Sequence, residues 1–438
     1  MTRYLIVGNG AAGITAAEEI RTRDPHGEIA VVSAEIHPMY SRPGLAYVII
    51  DEIPSRQVVA RTPAWYARQR IKLVYGRAVG LEATGHRVLL ANHPPLGYDR
   101  LLIATGARAA SLPYPGANLD GIVYLDTLDG TLELLRKLRR ARRAVVVGGG
   151  ITALEMAEGF AHNHVETHYL VRRNALWSAV FNEAESKLLD EKMRRHGIEI
   201  HYNAEVAEVL GDQRRRVRGV KLESGEVLPC EVVGAGIGVK AQLEWVKDTP
   251  LKIDRGVLVN EHLESNLPDV YVAGDCAQAW DPWTQKHMLD VLWPTAVAQG
   301  RAAGANMAGG HETYAKGTPF NVCLLFGWHL TAMGQIGGGR GDEGEIVQHT
   351  LSRGSSEVWS TRPASYTSAW SHAGDNHLRL ALDGNRLAGA LVIGEQSLAD
   401  PLRDLINGQT DIAPLRPALV AGGPELPGQI REFWRQAR

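Results

Sequence analysis

Two short glycine-rich segments constrain the fold of this chain more than any other feature. The first reads GNGAAG over residues 8–13, and the second reads GGGITA over residues 148–153. Each follows a β-branched apolar run, residues 4–7 and 144–147, and each opens a run rich in alanine and glutamate. Short apolar runs bounded by glycine are typical of buried parallel strands. The pattern therefore predicts two strand–turn–helix units.

Each turn has the residue types that a bound pyrophosphate requires. The first glycine allows a tight bend, the second lets backbone amides approach the phosphates, and the third position needs a small side chain for helix–strand packing. Gly8, Gly10 and Gly13 meet these needs in the first unit, and Ala153 takes the third position in the second. The helix N-terminus adds unpaired N–H groups and partial positive charge. Two dinucleotide sites in one chain indicate electron transfer between them.

The end of the second strand in such a unit commonly contacts the adenosine ribose. In the first unit, residues 29–32 predict that strand, and Glu35 lies 22 residues after Gly13, close to the spacing of a ribose-binding carboxylate. In the second unit, Arg172 and Arg173 follow the predicted strand 168–171. Guanidinium groups there can bind a 2′-phosphate, which favours NADPH, with NADH as the alternative if both arginines are merely solvated.

Composition bounds the class of protein. With 438 residues, 45% of them apolar, the chain is long enough for two or three domains with full cores. The net charge of −2 does not favour binding to nucleic acid. No apolar run reaches the roughly 18 residues needed to span a bilayer. Since residue 1 leads directly into the first predicted strand, we expect no signal peptide and a cytoplasmic location.

Neither the cysteines nor the histidines form a recognisable metal or redox motif. Cys230, Cys276 and Cys323 are far apart, so we expect small buried residues and no disulfide framework or zinc site. His162, His164 and His168 are spaced by two and four residues, and the i, i+2 spacing does not bring side chains together on a helix. The sequence thus predicts no metal site.

Five motifs occur in an order that identifies a family. They are GNGAAG at 8–13, ATGA at 104–107, GGGITALE at 148–155, AGDC at 273–276 and WPTAVAQG at 293–300. Together they closely resemble the FAD-dependent pyridine nucleotide-disulfide oxidoreductase superfamily, over roughly residues 1 to 310. The resemblance implies an α/β fold with two Rossmann-like domains, the second inserted in the first, and a C-terminal α+β interface domain. The implied boundaries are 1–113 with 246–317 for FAD, 114–245 for NAD(P), and 318–438 for the interface domain.

The same resemblance places the two dinucleotides. Glu155 is expected near the nicotinamide and Trp293 near the flavin, and no residue is assigned as a catalytic acid or base. Trp280 and Trp283 are weaker candidates for an access loop. The implied FAD residues are Gly8, Gly10, Ala12, Gly13, Glu35, Arg42, Pro43, Ala104, Thr105, Gly106, Gly274, Asp275, Trp293 and Pro294. The implied NAD(P) residues are Gly148, Gly149, Gly150, Ile151, Thr152, Glu155, Arg172, Arg173 and Gly238.

The segment YSRPGLAY at residues 40–47 separates the branches of the superfamily. Disulfide reductases and single-cysteine peroxidases carry a thiol in this neighbourhood, where this chain has Pro43. Because proline cannot form a thiolate or a mixed disulfide, cysteine relay chemistry at this position is excluded. The segment is similar to the YxRPPL of rubredoxin and ferredoxin reductases, although Gly44 replaces the second proline and Tyr47 replaces a lysine that is usual there.

The resemblance implies an NAD(P)H-dependent flavoprotein reductase. Hydride would pass from NAD(P)H to flavin N5, and electrons would then pass to a redox protein such as rubredoxin or ferredoxin. One alternative is an NAD(P)H oxidase or quinone-type reductase with a small-molecule acceptor. Another is a slow flavin-bearing signalling or structural protein resembling apoptosis-inducing factor. The sequence leaves the identity of the acceptor and the oligomeric state open.

Overall fold

The computed structural model describes residues 1–282, 284–336, 376–421 and 425–438. Its first sheet is parallel, in the order β19-β7-β1-β2-β3. Strand β19 is the last of these strands in the sequence, and it joins the sheet only after the chain has formed a second sheet. The second dinucleotide unit is therefore inserted in the first. The strands of this sheet are β1 (Arg3–Val7), β2 (Glu28–Ser33), β3 (Ile71–Tyr75), β7 (Arg100–Ile103) and β19 (Val270–Val272).

The second sheet repeats this arrangement, in the order β12-β11-β10-β16-β9, with all neighbours parallel. Valine-rich strands buried on both faces are typical of such sheets, and Val145 and Val146 are fully buried. The strands are β9 (Ile122–Val123), β10 (Arg143–Val147), β11 (Glu166–Val171), β12 (Ile198–Tyr202) and β16 (Val232–Ala235). The domain boundaries around these two sheets stay predictions.

Helices cover both sheets. The first, α1, packs closely on α7 because Gly300 and Gly304 bring the α7 backbone against Ala12 and Ala16, where added Cβ atoms would overlap main-chain oxygens. The small residues after the 293–300 motif predict a helix that ends at Met307, and the helix spans Trp293–Met307. The helices before the C-terminal region are α1 (Ala11–Arg23), α2 (Leu45–Ile49), α3 (Pro63–Arg68), α4 (Leu128–Leu138), α5 (Ile151–His162), α6 (Glu183–Arg195) and α7 (Trp293–Met307), with 3-10 turns at Ser55–Val58 and Glu244–Val246.

Small accessory sheets flank the parallel ones. Three are three-stranded: β4-β5-β6, β13-β14-β15 and β18-β20-β21, while β8 pairs with β17. The meander β13-β14-β15 packs on one face of the second sheet. Their strands are β4 (Ala78–Glu82), β5 (Arg87–Leu90), β6 (His93–Gly97), β8 (Ala107–Ala109), β13 (Val206–Gly211), β14 (Val217–Leu222), β15 (Val227–Pro229), β17 (Val239–Ala241), β18 (Val257–Leu258), β20 (Ala277–Asp281) and β21 (Lys286–Leu289).

Among its described residues, the C-terminal region combines an antiparallel sheet, β22-β23-β25-β24, with three helices and a 3-10 turn at Ala413–Leu415. Its elements are β22 (Phe320–Leu325), β23 (Trp328–Gly334), β24 (His377–Asp383), β25 (Arg386–Ile393), α8 (Ala399–Asn407), α9 (Arg416–Ala421) and α10 (Leu426–Ala437). This is the predicted α+β character. In the part of the chain that the structure describes, no helix combines the length and the apolar character needed to cross a bilayer.

Candidate cofactor-binding site

The first glycine turn is built as its spacing predicts. Gly8 has φ +127°, and a side chain there would overlap the carbonyl oxygen of Ala104 on the neighbouring strand. A Cβ at Gly13 would overlap the oxygen of Gly8, so Gly13 packs beneath the turn. Helix α1 starts after Gly10 without a side-chain cap. Its N-terminal amides are thus available to an anion.

A cleft of about 640 Å³ opens from this turn across the carboxyl edge of the first sheet. Ligands of open α/β sheets bind at this edge. Gly10 and Gly106 line the cleft, and no protein atom lies within 4 Å of the place where a Cβ would stand on either residue. A bound cofactor explains two glycines that face open space. All the predicted FAD residues except Gly13 and Pro294 line this cleft, and Pro294 lies in the first turn of α7.

Glu35 is held by a cluster that the sequence did not predict. The hydroxyl of Tyr40 donates to Glu35 Oε2 at 2.7 Å, and Arg42 forms a short ion pair with Glu35 Oε1. Arg42 also donates to the backbone oxygen of Asp126 at 2.5 Å. Burial is the main cause that raises the pKa of Tyr40. Tyr40 and Arg42 therefore orient the carboxylate of Glu35, whose ribose-binding role stays a prediction.

Several lining residues have no signal in the sequence. Residues 76–79 and Thr127 line the cleft, as do Gln242 and Trp245 from beyond the second sheet. Gln242 exchanges hydrogen bonds with the backbone and side chain of Thr105, at 3.1 and 2.8 Å. The indole N–H of Trp245 is buried and has no hydrogen-bond partner among the described residues. A donor in that state fits a cleft that is completed by a polar ligand.

The Gly-Asp turn and α7 form the far wall of the cleft. Gly274 has φ +81°, and its N–H donates to Gln299 Oε1 of α7 at 2.8 Å. Asp275 and Trp293 line the cleft beside it. Trp280 is 47% exposed and contacts His287 edge-to-face, while Trp283 lies outside the described residues. The access-loop role of both tryptophans stays a prediction.

All three cysteines of the sequence are free and buried, as predicted. Burial raises the pKa of Cys230 to about 12 and that of Cys276 to about 11, and it raises the pKa of Cys323 well above its usual value. Thiols in this state are poor nucleophiles. Pro43 lines the cleft, and the hydroxyl of Tyr47 accepts a hydrogen bond from the backbone N–H of Leu324.

The second glycine turn has the same local geometry as the first. Gly148 has φ +146°, and a Cβ there would overlap the oxygen of Gly236. Gly150 caps α5 with φ −107° and ψ −179°, close to the values −100° and −168° at Gly10. Gly149 and Gly150 face open space in the same way as Gly10. The turn therefore fits a second pyrophosphate.

The remaining predicted NAD(P) residues surround this turn. Glu155 is buried on α5 at 7% exposure, and Gly238, with φ +107°, faces open space. Arg172 and Arg173 follow β11 and are exposed, and Arg173 donates to Ser178 Oγ at 3.3 Å. These placements bring the predicted residues to one edge of the second sheet, and their roles stay predictions.

Glu158, one turn after Glu155, links α5 to the C-terminal sheet. Its carboxylate accepts a hydrogen bond from the backbone N–H of Phe326 at 2.6 Å. Burial raises the pKa of Glu158 to about 8, against the opposing effect of Lys192. The side chain of Glu158 is therefore largely protonated at neutral pH.

This raised pKa predicts that the protein loses stability as the pH rises from mildly acidic values to about 8. Because the folded-state pKa lies above the unfolded value of 4.5, the contribution is complete below about 4.5, falls as the pH rises, and is lost once the pH passes about 8. The slope has an upper limit of about 1.4 kcal/mol per pH unit, and solvent contact of this half-buried side chain reduces it. We expect Glu158→Gln to flatten the fall in melting temperature between pH 6 and 9. Glu191→Gln, at an exposed position on α6, should keep the wild-type dependence of melting temperature on pH. If both variants showed the same pH dependence, the raised pKa could not be assigned to Glu158.

The two turns and the cleft define an oxidoreductase that holds FAD and a nicotinamide dinucleotide. The chain belongs to the pyridine nucleotide-disulphide oxidoreductase family, whose model matches residues 2–300. The epsilon subunit of NADH-dependent phenylglyoxylate dehydrogenase from Aromatoleum evansii is 28% identical over 440 residues, covering 99% of this chain and 98% of that protein. Rhodocoxin reductase from Rhodococcus erythropolis is 30% identical over 312 residues, 71% of this chain and 73% of that protein.

Solved structures support the fold. The covalent putidaredoxin reductase–putidaredoxin complex matches with a TM-score of 0.84 and 23% identity, over 100% of this chain and 99% of that chain. The ferredoxin reductase for the CYP199A2 system of Rhodopseudomonas palustris matches with a TM-score of 0.82 and 24% identity, over 94% and 96%. The predicted arrangement of two Rossmann-like domains and a C-terminal domain is confirmed.

Proposed function

We propose that this protein oxidises NAD(P)H and delivers the electrons to a small iron–sulfur protein of the ferredoxin or rubredoxin type. The observation that carries the proposal is the presence of the FAD cleft and a second dinucleotide turn in one chain, with Pro43 in the cleft wall and every cysteine buried with a raised pKa. When bound, FAD accepts a hydride at N5 and releases electrons singly or in pairs. No cysteine of the chain would relay electrons between the bound cofactor and the acceptor.

The protein's own residues supply binding and orientation in this proposal. The N-termini of α1 and α5 hold the two pyrophosphates, and Glu35, positioned by Tyr40 and Arg42, holds the adenosine ribose of FAD. Asp275 binds the ribityl chain and Trp293 covers the flavin edge. Glu155 and Gly238 border the nicotinamide. Since both partners are held in place, the reaction needs no acid or base from the protein.

The experiment that tests this proposal is anaerobic stopped-flow reduction followed by reoxidation. We expect NAD(P)H to bleach the flavin rapidly, and a ferredoxin or rubredoxin to restore its colour faster than quinone or oxygen does. Fast reoxidation by oxygen alone would favour the oxidase alternative. Slow bleaching with a lasting charge-transfer band would favour the protein resembling apoptosis-inducing factor.

The arginine pair predicts a preference for NADPH. Burial raises the pKa of the Tyr114 phenol, and the positive charge of Arg172 opposes this rise. The double variant Arg172→Gln/Arg173→Gln should lower kcat/KM for NADPH about 10- to 100-fold, because it removes one or two charged hydrogen bonds to the 2′-phosphate. It should change kcat/KM for NADH less than about 3-fold. Arg87→Gln, on an exposed strand of the first unit, is the control. Equal losses with both coenzymes would argue against a 2′-phosphate site.

A second function is favoured by one comparison. The Aromatoleum evansii subunit matches this chain over almost its whole length, and its name describes part of a larger dehydrogenase. The acceptor here would then be an iron–sulfur subunit of the same complex. Purification of the protein from its native source separates the two cases, because a stable complex elutes as one larger species.

A cytoplasmic location also stays a prediction, which cell fractionation tests.

A further inference from the structure

Three side chains that commonly bind metals meet on one face of the second sheet, outside the cofactor site. His168 on β11 is the register partner of Glu199 on the edge strand β12. His201 lies two residues beyond Glu199, and side chains two apart point to the same face of a strand. Their side chains are 10%, 61% and 15% exposed for His168, Glu199 and His201. Two shielded imidazoles thus adjoin a carboxylate that reaches solvent.

The distances between the three groups match a metal coordination triangle. His168 Nδ1 lies 3.0 Å from His201 Nε2 and 3.3 Å from Glu199 Oε2, and His201 Nε2 lies 3.6 Å from Glu199 Oε1. A tetrahedral ion with bonds of about 2.0–2.1 Å to nitrogen separates its ligands by about 3.3–3.4 Å. The three closest approaches lie near that value, although Glu199 uses a different carboxylate oxygen toward each ring, and one ligand atom from each residue lies within 4.8 Å of the other two, so one ion could contact all three groups.

The surroundings favour the ring states that bind a metal. The other nitrogen of His168, Nε2, faces Glu166 Oε1 at 3.8 Å. A carboxylate on that side favours the proton at Nε2 and leaves the Nδ1 lone pair toward the triangle, which is the usual outer-shell arrangement. A neutral imidazole is the form that coordinates metal.

We propose that His168, Glu199 and His201 form a binding site for a divalent transition-metal ion of the zinc class, with the remaining coordination position open to water. Two imidazoles and one carboxylate are a usual donor set for Zn²⁺. The ion would tie the edge strand β12 to β11, the strand that leads to Arg172. The competing arrangement is a simple N–H···N hydrogen bond between the two rings, which requires no metal.

Calorimetric titration of Zn²⁺ into the untagged, FAD-loaded protein, first treated with a chelator, tests the site. We expect one ion per chain and a rise in melting temperature on zinc addition. Glu199→Gln keeps the exposed side chain's shape and removes its charge, so it should fold normally and weaken binding by more than about tenfold, the loss that even an outer-shell change produces. His201→Ala should abolish binding.

His26→Ala, at an exposed position in the first unit, is the matched control and should bind as the wild type does. Absence of zinc binding by the wild-type holoprotein would overturn the proposal and leave the hydrogen-bonded ring pair. Binding that Glu199→Gln retains unchanged would overturn it as well. Since flavin reduction by NAD(P)H is measured separately, failure here is distinguishable from failure of the proposed function.

Discussion

Gly10→Val should yield a folded protein that purifies without FAD. The backbone at Gly10 is extended, with φ −100° and ψ −168°, which valine adopts readily. No protein atom lies within 4 Å of the added Cβ, so the fold should tolerate it. The side chain would instead occupy the cleft where the pyrophosphate meets the N-terminus of α1. We expect FAD affinity to fall more than about 100-fold, or about 3 kcal/mol.

The flavin-to-protein absorbance ratio and a thermal melt in the presence of added FAD check this result. Gly317→Val is the matched control, because Gly317 is exposed in a connecting segment and a Cβ there also meets no protein atom. It should retain a full complement of FAD. A yellow Gly10→Val protein with wild-type FAD affinity would show that the pyrophosphate does not lie at this turn.

Gly150→Val should keep FAD and lose reduction by NAD(P)H. Gly150 caps α5 with nearly the same backbone angles as Gly10 and faces open space in the same way. A valine there obstructs the second pyrophosphate, whereas the FAD cleft lies at the edge of the other sheet. We expect the Kd for NAD(P)H to rise more than about 100-fold, with stoichiometric FAD.

Stopped-flow reduction at several coenzyme concentrations measures this effect, and dithionite provides the internal control. Dithionite should bleach Gly150→Val and wild type equally, since it needs no dinucleotide site. Normal bleaching of the variant by NAD(P)H would place the coenzyme elsewhere. Loss of FAD from this variant would instead indicate that the two sites are mechanically coupled.

The strand–turn–helix units were predictable because their signals are local. Each turn needs a first glycine with positive φ, here +127° and +146°, and a small residue at the third position of the motif. Six consecutive residues are enough to show both requirements. The helix at Trp293–Met307 was equally predictable from sequence, because Pro294 lies in its first turn, where proline is common. In the C-terminal region, Pro401 predicts a helix over residues 400–406 with proline in its first turn, and the helix spans Ala399–Asn407. The pattern of residues 385–394 predicts a pair of hairpin strands within that segment, which is wrong, because residues 386–393 form one strand that pairs with His377–Asp383.

Residues joined across long sequence separations could not be predicted. Arg42 was expected near the flavin or its phosphates, and in the structure it forms an ion pair with Glu35. Trp245 reaches the FAD cleft only because the chain returns to the first sheet after the second is complete. By sequence alone, His168 is compared with His162 and His164, which are close to it along the chain. In the structure its neighbour is His201 on the next strand.

The sequence by itself determined the two dinucleotide turns, the order of the nucleotide-binding units and the absence of a thiol at position 43. Each of these depends on residue type and short spacing, which backbone geometry converts directly into a turn, a helix start or a chemical exclusion. Only the tertiary structure decided which side chains orient Glu35, which polar groups complete the cleft wall, and which histidine side chains meet Glu199 on β12. Those contacts join residues from different strands, and strand order and register, rather than local pattern, set which side chains meet.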